Sequence, residues 1–170
     1  MMTILFIGRF QPFHQGHLQL LEKQAASNKR FLIGIGSSQY QYTLQNPFSY
    51  AERKEMIQQS LNAIDLTSYQ IEPITDIHDP PNWVEHVEKT VPDFDTVLTN
   101  NPFTASLFET KGYSVSQTTL FNREKLNGTY IRQCIINNKP WEHLVPPSVF
   151  EYIQKINGCS RLQALAAAED

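Results

Sequence analysis

Short apolar runs alternate with stretches of helical spacing along most of this chain. Ile4-Leu5-Phe6-Ile7, Phe31-Leu32-Ile33-Gly34-Ile35-Gly36, Tyr69-Gln70-Ile71-Glu72-Pro73-Ile74, Asp95-Thr96-Val97-Leu98-Thr99 and Tyr113-Ser114-Val115-Ser116 read as strands, the third weakened by Pro73. Continuous apolar runs suit strands covered on both faces, as in parallel sheets. Between them, Leu18, Leu20, Leu21 and Ala25 predict an amphipathic helix opening near Gln15. Ser49-Tyr50-Ala51-Glu52 has capping-box spacing, and Met56, Ile57, Leu61 and Ile64 continue a helical face behind it. Pro80-Pro81 predicts an irregular loop leading into a helix over 82–91. Asn101 and Pro102 then open a helix that Gly112 ends.

The βαβαβαβαβ order argues an α/β fold: a Rossmann-like, doubly wound parallel sheet of about five strands with helices on both faces. Ligands in such sheets lie at the carboxyl ends of the strands. A further helix follows Asn127, with Ile131 and Ile135 on its apolar face. Beyond Pro146-Pro147 the tail reads as structural: a capping box at Ser148-Val149-Phe150-Glu151, a stop at Gly158 and an alanine-rich helix over 161–168. One domain over 1–170 is expected, with an α/β core over 1–145 and a C-terminal helical extension over 146–170.

Composition narrows the class. The chain is 41% hydrophobic and 18% charged with a net charge of −3, and its 14 lysines and arginines are scattered. No electrostatic footprint for nucleic acid is present. No apolar run approaches the roughly 18 residues of a membrane span, and Arg9 interrupts the apolar start too early for a signal peptide. Cys134 and Cys159 show no metal spacing and read as free thiols of a reducing, cytoplasmic compartment, with a structural disulfide as the alternative.

The chemistry concentrates in Gly8-Arg9-Phe10-Gln11-Pro12-Phe13-His14-Gln15-Gly16-His17, between the first strand and the first helix. Gly8 permits the turn. His14 and His17 stand at the helix mouth, where free N–H groups and the helix dipole favour an anion, and Arg9 adds charge. A phosphate chain is the anion suggested. The plainer alternative is that the histidines merely cap the helix. Metal ligation lacks a third ligand nearby. A second motif, Leu126-Asn127-Gly128-Thr129-Tyr130-Ile131-Arg132, offers Asn127 or Thr129 as a cap, with early N–H groups, the Thr129 hydroxyl and Arg132 available to a phosphate. Trp83 follows a proline-rich loop; it could stack on a flat heterocycle or pack in the core. No nucleophile–base arrangement, paired glycosidase carboxylates or Walker A sequence is visible, which leaves positioning and charge stabilisation.

The run GRFQPFHQGH resembles the HxGH signature of the nucleotidyltransferase superfamily, most nearly its archaeal-type nicotinamide mononucleotide (NMN) adenylyltransferases. The second motif resembles the superfamily's ISSTxIR element (SGTxxR in the archaeal type), with Asn127 in the first serine position. Residues 46–53 resemble a PF-(S/T)-x-x-(E/Q)-R element at the active-site rim, where Arg53 otherwise reads as a surface arginine. A basic residue usually precedes that element; here Gln45 stands instead. In the same family the glycine–serine end of the second strand, Gly36-Ser37, borders the nucleotide pocket; otherwise it is an ordinary strand-to-loop transition.

The resemblance implies transfer of AMP from ATP to NMN, giving NAD and pyrophosphate, by direct attack on the α-phosphorus. It implies ATP binding by Gly8, Arg9, Phe10, Gln11, His14, Gly16, His17, Asn127, Gly128, Thr129 and Arg132. His14, His17, Arg132 and Arg9 would be the catalytic groups. Trp83 would stack on the nicotinamide, with Asp76, the Ile77 backbone and Asn82 reading the carboxamide. Mg²⁺ is expected through ATP phosphates and water rather than a protein metal site, and a homo-oligomer is expected. Other acceptors of the superfamily (phosphopantetheine, FMN, glycerol 3-phosphate) and a non-catalytic nucleotide sensor are the alternatives.

Overall fold

The computed structural model describes residues 1–25, 28–116 and 124–169. They fall into two compact units. The first takes residues 1–9, 23–39 and the described part of 68–119, and it holds the sheet. Its strands are β1 (Met2–Gly8), β2 (Lys29–Ile35), β3 (Tyr69–Pro73), β4 (Thr96–Leu98) and β5 (Val115–Ser116). All pair in parallel, in the order β3-β2-β1-β4-β5. The chain starts at the centre and winds outward first one way and then the other, which is the doubly wound pattern. The switch point falls between β1 and β4, at whose carboxyl ends such sheets bind ligands.

The central strands are apolar because both faces are covered. Ile4, Leu5, Phe6 and Ile7 of β1 and Phe31, Leu32, Ile33 and Ile35 of β2 are all buried. Leu5, Ile7, Leu32, Ile74 and Val97 form one cluster with Val84 and Val87 of α3 (Pro80–Thr90) and Phe108 of α4 (Pro102–Thr110). Pro73 lies at the end of β3, a sheet edge, where a missing N–H interrupts no inner ladder. Pro80-Pro81 does not hold the loop irregular as the sequence suggested. The two prolines open α3, because the first helical N–H groups have no intrahelical acceptor anyway. β5 is shorter than predicted: the Tyr113 N–H bonds back to the Phe108 carbonyl at 3.1 Å, so Tyr113 closes the turn that terminates α4 instead of opening the strand. Gly112, at φ 93°, makes that helix end possible.

The second unit takes residues 10–22, 40–67 and the described part of 120–170. It holds most of α1 (Gln15–Gln24), then α2 (Tyr50–Asn62), α5 (Gly128–Ile136), a 3-10 turn at Glu142–Leu144, α6 (Pro147–Lys155) and α7 (Gly158–Ala168). Ser49 caps α2 as predicted, with both arms of the capping box formed to Glu52. Arg53 is a correction. It is fully buried, not on the surface, and its Nε donates to the Ser49 carbonyl at 3.2 Å. The tail also differs. α6 opens on Pro147 rather than behind a Ser148 cap, and α7 begins at Gly158 rather than at Arg161. The turn between them uses Asn157 at φ 57°, while a Cβ on Gly158 would meet Ile153 Cγ2 at 2.8 Å, so this glycine serves close packing. Among the described residues no helix is long and apolar enough to cross a membrane.

The Asn101 side chain accepts the N–H groups of Phe103 and Thr104 at 2.9 and 3.2 Å, an exposed and self-contained cap. Asn101→Ala is expected to lower stability by about 1 kcal/mol, read as a shifted urea midpoint with an unchanged slope. An unshifted midpoint would mean that this cap contributes nothing.

Candidate active site

The first segment of the first unit ends at Arg9, which is exposed, and the first segment of the second begins at Phe10, whose backbone is left-handed at φ 55°. Four residues on, His14 stands immediately before α1 and its carbonyl accepts the Leu18 N–H at 3.2 Å. The Gly16 N–H donates to His14 Nδ1, and the His14 N–H donates to His17 Nδ1, both at 3.1 Å. This resembles a capping box with two imidazoles in place of serine and glutamate, except that the cap side chain accepts from the second helical N–H rather than the third. The capping alternative and the chemical one therefore hold together. Each Nδ1 is an acceptor, so each neutral ring carries its proton on Nε2.

The two rings stack, with centroids 3.6 Å apart and planes 23° apart. Phe13 stacks on His17 at 5.3 Å, and Phe10 meets it edge-on at 4.8 Å. His17 keeps some accessible surface, but aromatic rings enclose its imidazole. Burial pulls His14 from 6.5 down to about 3. Burial also holds His17 well below 6.5, and the neighbouring His14 adds to the effect. Both rings are neutral near pH 7, each with its proton on Nε2.

The second motif lies in the same unit. Asn127, not Thr129, caps α5: its Oδ1 accepts the Tyr130 N–H at 2.8 Å while its Nδ2 donates to the Glu124 carbonyl at 3.0 Å. Gly128 and an exposed Thr129 form the first turn. Arg132 is buried, its Nη1 donating to the Gln11 carbonyl at 2.7 Å and its Nη2 to Thr129 Oγ1 at 3.3 Å. One hydrogen bond thus ties the two motifs together. Phe10 and Gln11 are themselves interior. The Phe10 ring packs on Phe13 and His17, and the Gln11 amide is engaged with the Phe48 main chain.

The remaining predicted residues lie in the first unit. Gly8 ends β1, and Ser37 and Asp76 follow the carboxyl ends of β2 and β3. Ser37, buried and left-handed at φ 49°, donates from Oγ to Asp76 Oδ2 at 2.7 Å. Gln39 pairs twice with the Asp76 main chain, at 2.9 and 3.1 Å. The loop carrying Ile77 is therefore fixed from its base. Trp83 sits in α3 and meets Phe108 edge-on at 5.6 Å, only partly buried against the core cluster. Asn82 is exposed, its Nδ2 donating to Asp79 Oδ2 at 2.7 Å. His86 Nε2 lies 3.0 Å from Thr75 Oγ1.

Sequence reasoning missed a further contact set. Arg161, in the tail read as purely structural, donates from Nη1 to both Glu52 carboxylate oxygens at 2.9 Å and to the Pro47 carbonyl at 3.0 Å. Its guanidinium lies 4.6 Å over the Tyr42 ring. Nothing in the spacing links residues 109 positions apart.

Comparison with known proteins bears on this arrangement. Residues 5–134 match the family model described as cytidylyltransferase-like. A curated nicotinamide-nucleotide adenylyltransferase of Picrophilus torridus is 41% identical over 169 residues, covering 99% of this chain and 100% of that protein. One of Thermoplasma acidophilum is 42% identical, covering 96% of this chain and 92% of its own. Among solved structures, a bifunctional NMN adenylyltransferase/ADP ribose pyrophosphatase from Francisella tularensis, complexed with AMP and a manganese ion, superposes with a TM-score of 0.74. It is 24% identical and shares the fold over 96% of this chain and 52% of that one.

The imidazole geometry has a pH signature. With folded values depressed and an unfolded value near 6.5, the unfolded chain binds these protons first as pH falls. The stability associated with neutral His14 is therefore complete above pH 6.5 and drains away toward pH 3. Urea unfolding across this range should fall more steeply for the wild type than for His14→Gln; parallel curves would refute the assignment. Ring-nitrogen NMR at pH 7 should show both protons on Nε2.

Proposed function

The chain belongs to the cytidylyltransferase-like family, and from its similarity to nicotinamide-nucleotide adenylyltransferases we propose that it is one, converting ATP and NMN to NAD and pyrophosphate. The observation that carries this reading is the pair of neutral Nε2–H donors at the mouth of α1, tied through Gln11 to the N-terminus of α5. Two helix N-termini and two fixed donors form a cradle suited to a chain of phosphates. A phosphate oxygen of NMN attacks the α-phosphorus of ATP, the bond to the bridging oxygen breaks, and pyrophosphate leaves with the electron pair.

His14 and His17 donate to oxygens of the α- and β-phosphates, where charge grows as the reaction proceeds. Neutral imidazoles do this without offering a proton to lose. Arg132 and Arg9 offset charge on the departing pyrophosphate, while Asn127, Gly128 and Thr129 present the start of α5 to it. Gly8 and Gly16 let the backbone approach closely. Trp83 offers an indole face to the pyridine, and Asp76, Ile77 and Asn82 supply the polar groups that read its carboxamide.

Mg²⁺ enters as part of the nucleotide substrate, held by phosphates and water. The donor set supports this: each histidine Nδ1 already accepts a main-chain N–H. Among the described residues no group of three His, Cys, Asp or Glu side chains could hold a metal ion. The reaction needs no membrane or nucleic acid, and the cytoplasm supplies both substrates.

Pyrophosphate release with ATP and Mg²⁺, compared across NMN, nicotinic acid mononucleotide, phosphopantetheine and FMN, tests the reading. NMN should support turnover. Release only with phosphopantetheine or FMN would overturn the Trp83 assignment, and no release with any acceptor would overturn the enzyme. His17→Ala should slow turnover by about 10²–10³-fold; near-normal turnover would remove His17 from the catalytic groups.

A further inference from the structure

We propose that Gln11 is not a ligand of ATP but a positioning residue, which sets the Arg132 guanidinium through its own main chain. The proposal rests on the adenylyltransferase reading only for its kinetic readout. Gln11 is buried, and both ends of its carboxamide are engaged by main-chain atoms of this chain rather than turned toward a nucleotide. Its carboxamide instead reproduces a strand-like pairing with one residue. Nε2 donates to the Phe48 carbonyl at 2.9 Å, and Oε1 accepts the Phe48 N–H at 3.0 Å.

Phe48 is a firm anchor. It is fully buried and adjoins Ser49, whose capping box opens α2. On its other side the Pro47 carbonyl accepts Arg161 Nη1, which also grips Glu52. The Gln11 side chain thus transmits the position of that segment to the Gln11 backbone. The Gln11 carbonyl in turn accepts Arg132 Nη1 at 2.7 Å, which aims the second guanidinium nitrogen at Thr129. The junction has no slack. A Cβ on Gly128 would lie 2.9 Å from both the Gln11 oxygen and Arg132 Nη1.

The side-chain chemistry is specific to glutamine. Glutamate cannot donate to the Phe48 carbonyl, asparagine is one methylene too short, and methionine matches the length while making neither bond. A buried guanidinium aimed by one carbonyl should be sensitive to sub-ångström shifts of that carbonyl.

A double-mutant cycle with Gln11→Met and Arg132→Lys provides the test. Gln11→Met should lower kcat by about 10²-fold while the KM for NMN stays within about twofold, the signature of a transition-state contact. In the Gln11→Met background Arg132→Lys should add little further loss. Additive losses, or a lowered Tm with unchanged kcat, would overturn the proposal. Should Gln11→Met fail to fold, Gln11→Glu, which retains the acceptor for the Phe48 N–H, takes its place in the cycle. If the wild type releases no pyrophosphate with any acceptor, the adenylyltransferase reading has failed. The same cycle is then run on the affinity for a non-hydrolysable ATP analogue by calorimetry: coupled losses support the positioning role and independent ones overturn it.

Discussion

The start of a helix leaves N–H groups without intrahelical acceptors, and the way α1 satisfies them determines what its site can do. The chain solves the same problem differently at α2, where Ser49 and Glu52 close an ordinary capping box. A glutamate at the third position of α1 would place negative charge at the mouth of a helix that, in the proposed reading, receives phosphate. Imidazole avoids that conflict because its two nitrogens are distinct. Nδ1 accepts the main-chain N–H and Nε2 keeps a proton, so His14 and His17 terminate the helix and remain donors. Structural cap and chemical group are opposite edges of one ring.

Neutral caps shift the electrostatic task to arginine. A buried guanidinium is tolerated only when its N–H groups find acceptors, and Arg132 has the Gln11 carbonyl and the Thr129 hydroxyl. Those partners also fix its direction before any ligand arrives. Donors held in place before the reaction need no reorganisation as charge develops, which is where electrostatic catalysis gains most. The imidazole stack and the guanidinium are thus two forms of the same arrangement, polar groups immobilised by main-chain atoms.

The sheet was legible in the sequence because β1, β2 and β4 are short apolar runs with helical spacing between them, and because capping residues at Ser49 and Asn101 announce their helices. The motif at 8–17 was legible for the same reason: strand, turn and helix mouth are all local. What failed was non-local. Arg53 carries no mark of burial in its own helix, and the Arg161–Glu52 pair joins positions that no periodicity connects. Pro80-Pro81 and Gly158 misled because each residue type has two uses. Proline opens a helix as readily as it breaks one, and glycine permits tight packing as well as a stop. Gln11 sits in the most informative stretch of the chain, yet only coordinates could reveal that its amide faces Phe48.

Within the proposed reading, His14, His17 and Arg132 are held by hydrogen bonds within the second unit, and the residues assigned to the acceptor ring by hydrogen bonds within the first. His14, His17, Asn127, Thr129 and Arg132 read phosphate, which the acceptors of the superfamily have in common. Trp83, Asp76, Ile77 and Asn82 are assigned to the pyridine, and the loop that carries Asp76 and Ile77 is held by Ser37 and Gln39, which follow the carboxyl end of β2. The two hydrogen-bond sets lie in different compact units. In that reading the choice of acceptor rests on the loop after β3 and the start of α3, while the imidazoles rest on the caps of α1. Preorganisation of the transfer chemistry and choice of acceptor become separable properties, and the same cradle can serve different acceptors as long as its two helix starts remain closed by histidine and asparagine.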